Sequence, residues 1–400
     1  MRRTLAAIVF FCLLADSAIA QSESSASPLD SLKAAFESGS IDGKLSALSQ
    51  STKYPVEQVG QLYVTAIDFI LQNFPKVRDD PAGQELALTT ARLIGTVKQA
   101  VVAGLLWQLF NADADTAVRQ AILSSLARTA TGKTDVIARM NLWLATQNNL
   151  FKNGSEVDLP VVAACVQALG SLSDPTSFPV LFLTAHLAYP KEVAATATQV
   201  IESFKGNLAD LLVSVILNNP TSDKDVALSF AVASTTLTPS EKALVAVAAL
   251  KVALAGAPSA ADETATISLR FAAVRELAAL AWAPATDLLV ENFNSALSEY
   301  GRGALPVEDL VESITGLGSM GTHEAAVRLS LYLDLIGTHI QRGQSVTQSV
   351  VLAVISSLSR LQDPVAIENL LSVEYLNYPD AVKRAAREAV DNLQSVKEGS

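Results

Sequence analysis

The sequence predicts an all-α protein, an α-solenoid (superhelix) built from stacked antiparallel helix pairs. Three observations predict it. The apolar half of the 400 residues is mostly alanine, leucine and valine, with only 6% aromatic and 17% charged residues. Apolar side chains recur at i, i+3, i+4 and i+7, the spacing of one helix face. One stretch also returns at a constant offset: Val161, Val162, Ala164, Leu169, Leu172, Asp174, Pro175, Leu181, Tyr189, Pro190, Val193, Ala197 and Ile201 recur 189 residues later. Their partners are Val350, Val351, Ala353, Leu358, Leu361, Asp363, Pro364, Leu370, Tyr378, Pro379, Val382, Ala386 and Val390. The Asp-Pro and Tyr-Pro pairs carry the most weight, because they mark turns, which helical composition alone does not repeat.

The first element is an address. Met1-Arg2-Arg3 is cationic, Leu5 to Ala15 is apolar, and Ala18-Ile19-Ala20 offers small residues for cleavage ahead of Gln21. Residues 1–20 therefore read as a secretory signal peptide, too short in its apolar part to span a bilayer. Cys12 is not expected to carry a lipid anchor, because Phe10-Phe11 stand where a lipoprotein site needs small residues. Removing 1–20 takes away two arginines and one aspartate, so the charge of −11 becomes −12. Residues 21–28 read as a disordered polar leader, 29–84 as a divergent helical N-terminal cap, 85–393 as the solenoid and 394–400 as a disordered tail.

Within the solenoid each unit follows one logic. A first helix, with a stripe such as Val162, Val166, Leu169 and Leu172, ends near Ser173-Asp174-Pro175. Proline cannot continue a helix interior but suits the first turn of the next. A second helix over 176–187 closes at Tyr189-Pro190. Tyr54-Pro55, Phe74-Pro75, Leu159-Pro160 and Leu305-Pro306 repeat the punctuation. Further stripes are Val118-Ile122-Leu126, Ala197-Ile201-Phe204, Phe230-Ala233-Leu237, Val274-Leu277-Leu280 and Leu310-Ile314-Leu317. Longer units place loops at 128–135, 152–158, 255–264, 299–306 and 337–346. A helix pair cannot bury its apolar face alone and must stack on its neighbours.

The run from Val162 through Val166, Leu169-Gly170, Leu172 and Asp174-Pro175 resembles the HEAT and HEAT-like (phycobilisome-lyase type) repeat, as does Val382 to Val390. The resemblance covers about residues 85–393 and implies repeat type rather than activity. Basic residues follow the valine only as Arg119, Arg275 and Lys383, so it implies no regular Asp–Arg ladder. Chromophore attachment, known in part of that family, is not expected in an exported chain with few aromatics.

The chain carries no recognisable catalytic constellation. Its three histidines, His186, His323 and His339, form no short metal-ligand spacing. No Gly-x-Ser-x-Gly elbow, Walker loop or dinucleotide loop occurs, and Gly301-Arg302-Gly303 reads as a plain loop. Asp79-Asp80 and Asp113-Ala114-Asp115 read as solvated helix starts, and Lys383, Arg384 and Arg387 as cations stabilising a helix end. Cys165 reads as a small core residue, and His186 as a partly buried structural one. No catalytic, cofactor-binding or metal-binding residue is assigned, and no cofactor is expected.

The acidic balance argues against nucleic acid, which needs a cationic surface. The stretch from Ala243 to Ala257, broken by Lys251, reads as a buried helix, so no membrane span is expected after residue 20. The expected function is a non-enzymatic scaffold for a protein or peptide partner in the cell envelope, periplasmic or secreted. A second expectation is an accessory or maturation factor holding an enzyme or cofactor-bearing client. The third is a hydrolase using scattered carboxylates.

Overall fold

A computed structural model describes residues 27–398. Residues 1–20, expected as a signal peptide and containing Cys12, most of the expected leader and residues 399–400 lie outside the described residues. The described chain is built of helices and connecting turns, with no strand among those residues, and divides along the sequence between Thr129 and Ala130 into two compact units.

Unit 1 holds α1 (Pro28–Ser38), α2 (Ile41–Ser51), α3 (Val56–Gln72), α4 (Phe74–Arg78), α5 (Pro81–Ile94), α6 (Val102–Ala112) and α7 (Thr116–Thr129). Local chemistry sets the starts. Ser27 and Ser40 accept hydrogen bonds from the backbone N–H groups of Asp30 and Gly43, satisfying donors that a helix N-terminus leaves unpaired. α5 packs on α2, α3 and α4 as well as on α7, around the fully buried Leu48, Ile67, Ile70, Leu86 and Ile94. The expected line between residues 84 and 85 falls inside α5, and the two compact units divide at 129/130. Lys44 is buried between the rings of Phe36 and Phe69 and donates to the Phe36 carbonyl at the end of α1.

Unit 2 holds α8 (Thr134–Lys152), α9 (Leu159–Leu172), α10 (Phe178–His186), α11 (Lys191–Glu202), α12 (Leu208–Asn218), α13 (Thr221–Ala233) and α14 (Pro239–Leu254). It continues with α15 (Glu263–Ala279), α16 (Thr286–Gly301), α17 (Val307–Leu317), α18 (His323–Gln341), α19 (Gln348–Leu361), α20 (Ile367–Tyr375) and α21 (Asp380–Glu398). Each helix packs on its chain neighbour, and beyond that mainly on the next but one. Two rows result. The even helices form an unbroken series from α8 to α20, and the odd helices pack α9 on α11 and then serially from α13 to α21. One apolar core runs from Phe178 to Leu393. Of the predicted stripes, Val274, Leu277, Leu310, Ile314 and Leu317 belong to it, while Val162, Val166 and Leu169 are buried ahead of it on α9.

The duplication holds at the level of single hydrogen bonds. Adding 189 to the bounds of α8, α9 and α10 gives those of α18, α19 and α20, and the start of α11 gives that of α21. Ser173 and Gln362, both at left-handed φ, end the first helices; Asp174 and Asp363 each cap a 3-10 turn through a 2.9 Å bond from Thr176 N or Val365 N. Tyr189 N and Tyr378 N each donate to the carbonyl two residues back at 2.8 Å. The structure also extends the repeat: α8 and α18 share Arg139/Arg328, Leu142/Leu331 and Leu144/Leu333, followed by the left-handed Gly154/Gly343.

Several expectations need correction. Residues 394–398 continue α21 rather than forming a disordered tail, and Pro28 already belongs to α1. Gly337 lies inside α18, so that loop begins at Arg342. In α13 the buried apolar residues are Ala227, Leu228 and Ala231; Ala233 is exposed, and the buried Leu237 belongs to the following loop. Lys383, Arg384 and Arg387 lie in the first half of α21, and Lys383 Nζ caps the C-terminus of α20 by donating to Glu374 O at 2.9 Å.

Candidate functional site

The residues considered from sequence resolve one by one. Cys165 is fully buried, and burial pushes its thiol far above the range in which it could ionise. His186 is exposed at the end of α10, with Nδ1 2.8 Å from Phe182 O and its ring against Phe230. His323 is exposed and meets Asp363 at 2.7 Å. Asp79 pairs with Arg78, and Asp80 caps α5 through Ala82 N. Asp113 departs from expectation. It is buried rather than solvated, its Oδ1 accepts from Asp115 N at 2.9 Å, and its Oδ2 has no partner. Burial therefore raises its carboxyl pKa. Among the described residues no three His, Cys, Asp or Glu side chains converge to hold a metal ion, and no helix is long and apolar enough to cross a membrane.

A polar cavity of about 400 Å³ lies between the end of α14, α15 and α16. The buried Arg270 meets Glu299 there in a two-pronged pair of 2.8 and 2.6 Å. Each group is committed to the other, and the pair ties α15 to α16, so the geometry is that of a strut.

A larger groove, about 690 Å³, opens on the even row where α8, α10 and α12 lie side by side. Leu142, Val180, Leu183 and Leu211 supply its apolar lining, while Ala145 and Ser214 face it with too little bulk to fill it. Small residues on flanking helices are what leave such a space open. Asn148 holds the wall together. Its Nδ2 donates to Thr184 Oγ1 at 2.9 Å, and its Oδ1 accepts from Tyr189 OH at 3.1 Å. Phe151 stacks on Tyr189 at 4.0 Å, and burial pushes the Tyr189 phenol up to about 12. The rim is polar, with Asn141, Asn149, Asn218 and Asn219 joined by Asp210 and Asp223.

No family model and no curated protein matches this chain. The groove was missed by sequence reasoning because its three walls come from residues dozens of positions apart. One signal was available: Leu142 interrupts the polar face of its helix and is 69% exposed, and its duplicate Leu331 is 59% exposed.

The exposure is organised by row. Leu142 and Leu150 on α8, Leu217 on α12, Leu244 on α14, Leu331 and Leu335 on α18, and Leu371 and Tyr375 on α20 are all exposed. On the odd-row helices Val232 of α13 is the counterpart among the described residues. A stacked array needs only its buried faces to be apolar, so exposed apolar side chains concentrated on the helices of one row are not explained by stacking.

Proposed function

We propose that this chain is an exported, non-enzymatic scaffold of HEAT-like repeats that holds a protein or peptide partner in the cell envelope. The observation that carries the reading is the row of exposed leucines with the apolar groove at α10. Exposed apolar side chains cost solubility, and a surface that retains them along one row fits a recurrent partner contact. The wholly buried Cys165 and the mutually committed Arg270 and Glu299 support a role without chemistry. Export rests on the signal-peptide pattern of residues 1–20, and the acidic balance favours cationic over anionic partners.

Mild crosslinking and affinity purification from the envelope fraction test the interaction. A partner retained by the native chain and lost from the Leu142→Lys/Leu331→Lys double variant is expected. Retention of the same proteins by both chains, or by neither, would sink the scaffold reading. N-terminal sequencing of the exported product tests the address, with Gln21 expected as the first residue.

A further inference from the structure

Resting on the reading of the even row as an interaction surface, we propose that the α8–α10–α12 groove receives an extended segment of the partner, apolar in its middle and carrying a lysine or arginine toward Asp210.

The conformation follows from the acceptors that the groove leaves unused. Asn141 spends its Nδ2 on Thr176 O at 3.2 Å, while its Oδ1 is buried without a partner. A buried acceptor without a donor is costly, so a donor supplied by the ligand stabilises the site. An extended chain presents unpaired backbone N–H groups along its edge, whereas a helix has already spent its own on internal carbonyls. The carboxamides of Asn149, Asn218 and Asn219 can both donate and accept, which suits a backbone bearing both groups. α10 has nine residues and runs about 14 Å, the reach of about four extended residues.

The sign of charge follows from the three helices. α10 and α12 contain no lysine or arginine, and the two on α8 are already engaged, Arg139 with Asp135 at 3.9 Å and Lys152 with Asp223 at 3.8 Å. Asp210, in the first turn of α12, is exposed, and its carboxylate makes no ion pair. Asp174 adds a second negative charge beside the groove residues Pro175 and Thr176. The Asp210 end thus favours a cation, while the Lys152 end is locally balanced.

A library of random dodecapeptides displayed on phage and panned against the purified chain tests this. Enriched sequences with a central apolar run and a lysine or arginine near one end are expected. The best peptide, labelled and measured by fluorescence anisotropy, should bind at least fivefold more weakly to Asp210→Asn and lose measurable binding to Leu183→Glu. Lys76→Ala, at an exposed site on α4 of unit 1, should leave its binding unchanged, and circular dichroism should find all three variants folded. Methylating single backbone amides of the peptide should weaken binding tenfold or more at one central position, where the N–H meets Asn141. Acidic or helical winners, or binding indifferent to Asp210 and Leu183, would overturn the proposal. If no peptide is enriched although a crosslinked partner is retained, the scaffold stands and the groove is not its site.

Discussion

Among the buried polar residues, Asp113 and Arg270 respond to the same cost in opposite ways. Asp113 is desolvated with one oxygen unpartnered, so the folded state holds its proton more tightly than the unfolded chain does. Its folded pKa is raised, hence its contribution favours the fold below the ordinary aspartate range and is lost as pH rises through the folded value. Asp113→Asn keeps an acceptor for Asp115 N and removes the charge. We expect it to raise the melting temperature at pH 7 and to flatten the loss of stability as pH rises above the ordinary aspartate range, read by thermal melts from acid to neutral pH. Arg270 has instead found a carboxylate. Glu299→Gln strands a buried guanidinium and is expected to cost about 3 kcal/mol, whereas the double change Arg270→Met/Glu299→Leu should come near neutral. Urea melts of the three variants separate these outcomes.

Helix ends and crossings show how much each element owes to one backbone position. Ser173, Ala281 and Gln362 are the non-glycine residues at positive φ among the described ones, and each ends the first helix of a pair ahead of a 3-10 turn. A left-handed residue with a Cβ is disfavoured, so Ala281→Gly, at an exposed site, should stabilise by about 1 kcal/mol. Gly318 presents the reverse case. A Cβ there would lie 2.3 Å from Ser357 Cβ, where α17 crosses α19, so Gly318→Ala should destabilise by about 1–3 kcal/mol. Chemical melts check both signs. The crossing was partly legible in sequence, since Leu317-Gly318 echoes Leu169-Gly170, and a Cβ on Gly170 would likewise crowd Val200 on α11. The start of the repeat was not legible. α8 and α18 share few identical residues, and the residue equivalent to Asn148 is Gly337, whose neighbour Tyr378 has a buried, unpartnered hydroxyl.

At the scale of the whole molecule, periodicity and turn residues carried the architecture of unit 2, because stacking repeats the same local demands in each pair. They did not carry the division at 129/130. In unit 1, α5 meets helices both before and after it, contacts between segments distant in sequence that no local period announces. The groove escaped for a related reason, as Asn141, Leu183 and Asp210 mean nothing together until α8, α10 and α12 are side by side. Because the packing of unit 2 is mainly between near neighbours, shortening it should be tolerated. Removing residues 173–361 joins Leu172 to Gln362, the two equivalent junctions differing by 189 positions. We expect the shortened chain to keep a helical far-ultraviolet spectrum and a cooperative melt at lower temperature; a non-cooperative melt would refute local packing as the source of its stability.

That junction has a consequence for how such a chain can change over time. Two stretches whose helix bounds coincide at one fixed offset are interchangeable in length, because a cut in one joined to the same point of the other keeps the helix phase. An unequal exchange between them deletes or inserts a whole block while leaving every cap, turn and crossing in phase. If the shortened chain folds as expected, the length of this protein can change by one whole block while the helix phase is kept.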